Sequence, residues 1–243
     1  MIKKRFYLCL FVLISLLSCG KDELTSPVTA ELLMELDVNN DQQNELPLQV
    51  TGASLLLKEV VFDGYRESGE NYFFTKDFPD SLKVSFSKDK AGRVMQFEMP
   101  QGIYSRIEIK MGLPAGREAN LGGDIKNRAA VVGGVEIWGD YKNVHGVKVP
   151  FLFVYTSVDE FRYTAKTVAG NQQVVVKDNG TRQARLKFDA QQWMDLINPR
   201  MLQSAKPSLV NGVPTLVISK KQNDHIYNLL ANRIERSANL FFE

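Results

Sequence analysis

The sequence predicts a mainly β fold, an antiparallel β-sandwich with one or two C-terminal helices, and three observations predict it. From Val28 onward apolar and polar residues alternate over short runs, the period of half-buried strands. Gly, Pro, Asn and Asp bound those runs and supply the backbone angles that turns require. Helical spacing of apolar residues is confined to the last quarter of the chain. A composition of 44% hydrophobic and 24% charged residues is that of a chain able to bury a core, which excludes a disordered one.

In chain order, strands are expected at 29–36, 48–62, 71–76, 82–87, 94–98 and 105–111. In the last of these, Ser105, Ile107, Ile109 and Met111 face one way and Arg106, Glu108 and Lys110 the other, so one face packs and one is wet. The run 135–141 sets Val135, Ile137 and Gly139 against Glu136, Trp138 and Asp140. It turns through 142–146 and returns as 147–155, a hairpin. A strand at 161–167 follows. A second hairpin is expected around Asn179-Gly180, because those residues tolerate the positive φ of a type I′ turn between the β-rich flanks at 174–176 and 184–188. The remaining strand is 215–219.

Asp189 is placed to cap a helix over 190–197 that Asn198-Pro199 stops. Asn223 is expected to cap a second helix, in which Ile226, Leu229, Leu230, Arg233 and Ile234 fall at helical spacing. The apolar end Leu240-Phe241-Phe242 returns to the core as a strand or docked segment. Residues 29–243 read as one β-sandwich domain, with a seam in the glycine-rich stretch 112–134.

Residues 1–18 are of another kind. Lys3, Lys4 and Arg5 precede an apolar run from Phe6 to Leu17, which as a helix would span about 18 Å where a bilayer core needs about 30 Å. This is the form of a signal peptide. That segment holds three of the 30 basic residues and none of the 28 acidic ones, so the remainder is close to neutral. A nucleic-acid partner is excluded on that charge balance. Leu16-Leu17-Ser18-Cys19-Gly20 resembles the lipobox of bacterial lipoproteins, which implies acylation of Cys19 and anchoring in the outer membrane. The other cysteine, Cys9, lies in the apolar run, so the chain after residue 18 has no disulfide pair and no second thiol. Lys21, Asp22 and Glu23 resemble the Lys-acidic-acidic export signal of Bacteroidetes surface lipoproteins, which implies exposure on the cell surface. Residues 19–28 read as the lipidated tether.

Signals for chemistry are sparse. The histidines His145 and His225 are far apart in sequence, with no HExxH and no cysteine partners, and there is no GxSxG, Walker loop or GxGxxG. Asp159-Glu160, the one acidic pair beside aromatics, points to opposite faces if extended and cannot flank one glycosidic bond. The chain is therefore expected to be non-enzymatic. Asp37, Asn39 and Asp41 match the first three oxygen ligands of an EF-hand-type calcium loop. Gln42 stands where that loop needs glycine and Leu48 where it needs a bidentate Glu, so a plain turn is the stronger reading and no cofactor is expected beyond that calcium candidate. Trp138 and Tyr141 are the candidate aromatic platform for a sugar ring, while Trp193 is expected in the core. Asp80-Ser81-Leu82 fits the Asp-Ser/Thr-apolar O-glycosylation pattern of Bacteroidetes, with Ser81 as acceptor.

The segment Met99-Pro100-Gln101-Gly102-Ile103-Tyr104, with the tag at 21–23 and Pro47-Leu48-Gln49-Val50-Thr51-Gly52, resembles the DUF4382-like surface lipoprotein domains of Bacteroidetes. Over about 29–155 the resemblance implies a transthyretin-type (prealbumin-like) β-sandwich. Fimbrillin-like adhesins share the lipobox and a similar architecture. The function expected is non-catalytic binding or adhesion at the surface of a Gram-negative cell, with a glycan or protein ligand. A glycan-binding part of an uptake system and a fimbrial or pilus assembly or anchor subunit are the two specific forms.

Overall fold

The computed structural model describes residues 26–38, 46–118, 131–143, 146–177 and 180–243. The protein is mainly β, with a large mixed sheet that bends into two packed layers. Its spine is β2 (Leu48–Arg66), 19 residues long. β3 (Tyr72–Ser87) runs antiparallel along one edge. The other edge is filled in two stages, by β5 (Gly102–Leu113) against residues 59–66 and by β8 (Val135–Lys142) against residues 48–55. Glu59 lies opposite Gly112 and Leu55 opposite Val135. The glycine-rich stretch 112–134 thus leaves and rejoins one edge of one strand. Within it, the two-residue strands β6 (Arg117–Glu118) and β7 (Val131–Val132) pair with each other.

The second layer contains β4 (Gly92–Pro100), β1 (Pro27–Asp37), β12 (Arg182–Asp189) and β15 (Ala238–Phe242), neighbours in that order. β10 (Asp159–Lys166) joins the layers, pairing with β5 through residues 159–164 and with β15 through Ala165 and Lys166. Between the layers lie fully buried Leu32, Met34, Leu55, Leu57, Ile107 and Ile109. Rings meet across the gap: Phe86 of β3 stacks on Phe188 of β12 at 5.3 Å, and Phe62 of β2 meets Phe97 of β4 at 5.1 Å. Each such side chain contributes about 2–3 kcal/mol by leaving water.

The link from β4 to β5 is the Pro100-Gln101-Gly102 corner. Gly102 has φ 145°, and a Cβ there would stand 3.0 Å from the Arg66 guanidinium. The buried Gln101 donates its amide N–H to the Ser26 carbonyl at 3.0 Å, and Arg66 Nη2 donates to the Gln101 carbonyl at 2.6 Å. Two hydrogen bonds thus pin the corner, one to Ser26 and one from Arg66.

Several expectations need correction. The sandwich was expected to be antiparallel, but three pairings, β1–β12, β10–β15 and β9 (Lys148–Tyr155) with β14 (Val213–Ile218), are parallel. Each joins strands that are not consecutive, so no tight turn dictates their relative direction. The 147–155 return does form the β8–β9 hairpin, whereas the expected Asn-Gly hairpin does not form: β11 (Val174–Val176) pairs with β5, and β12 with β1 and β15. The stretches 71–76 and 82–87 are one strand, β3, which bulges between them: residues 78–81 face the single residue Lys58 of β2. The helix expected over 190–197 ends earlier, at Met194 with Asp195 as its C-cap, and Asn198-Pro199, expected to stop it, starts another. α1 (Ala190–Met194) is capped by Asp189, whose Oδ1 accepts from the backbone N–H of Gln191 and Gln192. α2 (Pro199–Ser204) is capped by Asn198, with Pro199 in the first turn.

α3 (Asp224–Ala231) follows Asn223, which adopts left-handed φ 56° and makes no side-chain cap. Its amide instead accepts from Lys206 N–H and donates to the Val217 carbonyl at 2.7 Å, tying the helix start to β14 and to the approach to β13 (Ser208–Val210). The helix is shorter than its apolar spacing suggested and buries Ile226, Tyr227 and Leu230. Tyr227 stacks on Phe153 of β9 at 5.5 Å. The end of the chain docks as β15, against β12.

Candidate binding surfaces

Cys19, Lys21, Asp22, Glu23, Asn39, Asp41 and His145 lie outside the described residues. Asp37 is the exposed last residue of β1, opposite Asp189 in parallel register. Among the described residues no three His, Cys, Asp or Glu side chains cluster so as to hold a metal ion, and no helix is long and apolar enough to cross a membrane. Ser81 sits in β3 with φ 57° and is half-buried. His225 is exposed in the first turn of α3, 3.9 Å from Asp224. Asp159 and Glu160 begin β10 and are engaged separately: Asp159 accepts the Tyr155 hydroxyl at 2.5 Å, and Glu160 pairs with Arg162 at 3.2 Å. Burial, and then that carboxylate, push the Tyr155 hydroxyl well above its usual pKa. Trp193 is in the core as expected, donating its indole N–H to Ser237.

The Trp138–Tyr141 platform is not assembled. β8 pairs residue by residue with β9 from Val135 to Lys142, so residues three apart face opposite sides. Tyr141 packs toward the core with Ile137. Trp138 lies half-buried on the outer side, its indole over Gly52, where an added Cβ would stand 2.6 Å from Cζ2. Gly52 is the residue that lets the indole lie flat on the sheet.

A different aromatic pair is brought together on the outer face of β2, β3 and β5. Phe73, 51% exposed, meets Tyr65 edge to face with ring centroids 5.4 Å apart. Arg106 completes the group, its Cζ 4.2 Å above the Tyr65 ring. The regular register of β5 on β2, unbroken from Glu59 opposite Gly112 to Tyr65 opposite Arg106, places it there. Tyr65 opposes Arg106 while Arg66 opposes Tyr104, so Ser105 is the extra residue, and its hydroxyl donates to the Tyr65 carbonyl at 3.2 Å. The same face carries a ladder of ion pairs. Lys110 donates to Asp63 at 2.6 Å and lies 3.7 Å from Glu108, and Arg162 is 3.6 Å from Glu108. The hydrogen bond to Asp63 holds the Lys110 ammonium above its usual pKa. Alternation within β2 and β3 was the available signal for Tyr65 and Phe73, but their meeting depends on strand register.

A cleft of about 830 Å³ opens where β10 leaves β5 for β15 and β11 takes its place. Val174 and Phe242 form its buried apolar floor; Thr167, Asn171, Gln173, Arg182 and Glu243 are among the residues of its rim. An apolar floor with amide and charged groups around it suits a small polar ligand. Comparison of the chain with protein families, with characterised proteins and with solved structures gives no match.

Proposed function

We propose that this is a lipid-anchored surface protein of a Gram-negative cell, held in the outer membrane through Cys19 and acting by binding, without catalysis. The Leu16–Cys19 lipobox after a basic and apolar leader supports the anchor, and Lys21-Asp22-Glu23 supports the outward orientation. A fully extended chain from Cys19 to Pro27, where β1 begins, reaches at most about 29 Å, which keeps the domain close to the lipid. The finer fold reading, a transthyretin-type sandwich of DUF4382-like kind, rests on the Pro100–Tyr104 corner, and the parallel pairings are where this chain departs from it.

Of the binding roles, recognition of a glycan is favoured, and the exposed Phe73 ring, set against half-buried Tyr65, is the observation that carries it. Apolar C–H faces of sugar rings stack on exposed aromatic rings, and neighbouring polar side chains fix the orientation. Retention on a panel of immobilised glycans, lost on Phe73→Ala and kept on Trp138→Ala, is the expected result. Retention unaffected by Phe73→Ala refutes this site.

A further inference from the structure

Resting on the glycan reading above, we propose that the Tyr65–Phe73–Arg106 face selects carboxylated sugars, uronic or sialic acid units, over neutral ones.

The acids around the aromatic pair are already matched: Asp63 by Lys110, Glu108 by Lys110 and Arg162, and Glu160 by Arg162. Glu67, next beyond Arg66, accepts from Gln173 at 2.5 Å. Arg106 is exposed and, among the described residues, makes no hydrogen bond or ion pair; its one contact of this kind is the Tyr65 ring. A guanidinium carries five N–H donors in a planar fork that fits a carboxylate with two parallel bonds. Here stacking on Tyr65 holds the fork in place while its donors stay unpaired, so little side-chain freedom remains to be lost when an anion arrives.

Geometry supplies the rest. The Tyr65 and Phe73 rings meet at 71°, so they form a corner: Phe73 offers a floor for the C–H face of a pyranose, and Tyr65, covered by Arg106, is the wall beside it. A sugar acid uses floor and cation together. A neutral sugar uses the floor alone, and a peptide carboxylate the cation alone. Arg106 faces this corner because it stands directly opposite Tyr65 in the regular β2–β5 register.

The test uses the full lipidated chain in detergent with polygalacturonate and polysialic acid as probes, each beside its carboxyl-reduced neutral form, and polyglutamate as the acidic peptide. At least one acid polymer is expected to bind about tenfold or more tighter than its reduced form, the range of a charge-assisted pair. Arg106→Gln should abolish that difference while leaving binding to the neutral form, Arg106→Lys should restore part of it, and Phe73→Ala should weaken both. Unchanged circular dichroism checks that these surface variants stay folded. Equal binding of acid and reduced polymers, indifferent to Arg106→Gln, overturns the selectivity and leaves the glycan reading standing. Polyglutamate binding as tightly as the sugar acids, or acid binding untouched by Phe73→Ala, overturns it in favour of a general anion surface. Retention of no glycan on any probe or panel removes both readings.

Discussion

The hydroxyl of Tyr104 donates to the carbonyl oxygen of Pro100 at 2.7 Å, tying β5 back across the corner from which it starts. Tyr104 is fully buried, so Tyr104→Phe leaves that carbonyl without its partner, at a cost of about 1–3 kcal/mol. The urea midpoint should fall with the slope of the transition unchanged. Gly102→Ala should also lower the midpoint, because φ 145° strains an L-residue and the added Cβ would press on Arg66. A midpoint unchanged in both variants would show that the corner does not hold the two layers together.

The buried tyrosines set the behaviour at high pH. Burial pushes the Tyr104 hydroxyl up to about 12. It also raises Tyr155, with help from Asp159, and raises Tyr163, with help from the charges of Glu235 and Asp159. A raised folded-state pKa means that the unfolded chain loses its proton first. The stabilisation is therefore complete below about pH 10 and is lost as pH rises toward and through the folded value, at about 1.4 kcal/mol per pH unit for each such tyrosine. Urea midpoints measured across this window should fall steeply in the parent and less steeply in Tyr104→Phe. Equal slopes would show that Tyr104 does not stay protonated in the folded state.

How far the sequence was readable follows from the range of the forces involved. Alternation located β1, β2, β5, β8 and β12, and the capping chemistry of Asp189 was local enough to identify at once. The Asn-Gly signal failed because β11 and β12 each found another partner, β5 for one and β1 with β15 for the other. Such choices depend on residues far away in the chain. Asn223 was misread for a similar reason: its amide is taken by Lys206 and Val217, which only the tertiary fold brings near. The Trp138–Tyr141 platform is a different case, since a spacing of three already puts them on opposite sides of a regular strand. Tyr65 and Phe73 were hidden because their contact needs the β2–β3 register, and Arg106 because its place over Tyr65 needs the β2–β5 register.

Calcium is expected to leave the protein's stability unchanged. Asp37 closes β1, and Leu48, which occupies the position of the bidentate Glu in the twelve-residue loop, is fully buried at the start of β2 opposite Tyr141. A ligand held by Asp37, Asn39 and Asp41 at a hundredfold excess over its Kd would add about 2.7 kcal/mol. Melting temperatures in calcium and in chelator should coincide. A rise with calcium that Asp37→Asn abolishes would establish the site instead.

The anchor and the export tag make separable predictions because they act at different steps. Each acyl methylene buried in the bilayer contributes about 0.8 kcal/mol, and more than one chain gives stable anchoring. All of that is lost in Cys19→Ala, which should move the protein from the membrane fraction to the soluble one. Replacing Lys21, Asp22 and Glu23 with alanine leaves Cys19 and its lipids in place. That variant should remain in the membrane fraction but become resistant to protease added to intact cells, since only its leaflet changes. Cys19→Ala still partitioning with membranes would refute lipid anchoring, while continued protease sensitivity of the alanine tag would show that surface export is directed from elsewhere in the chain.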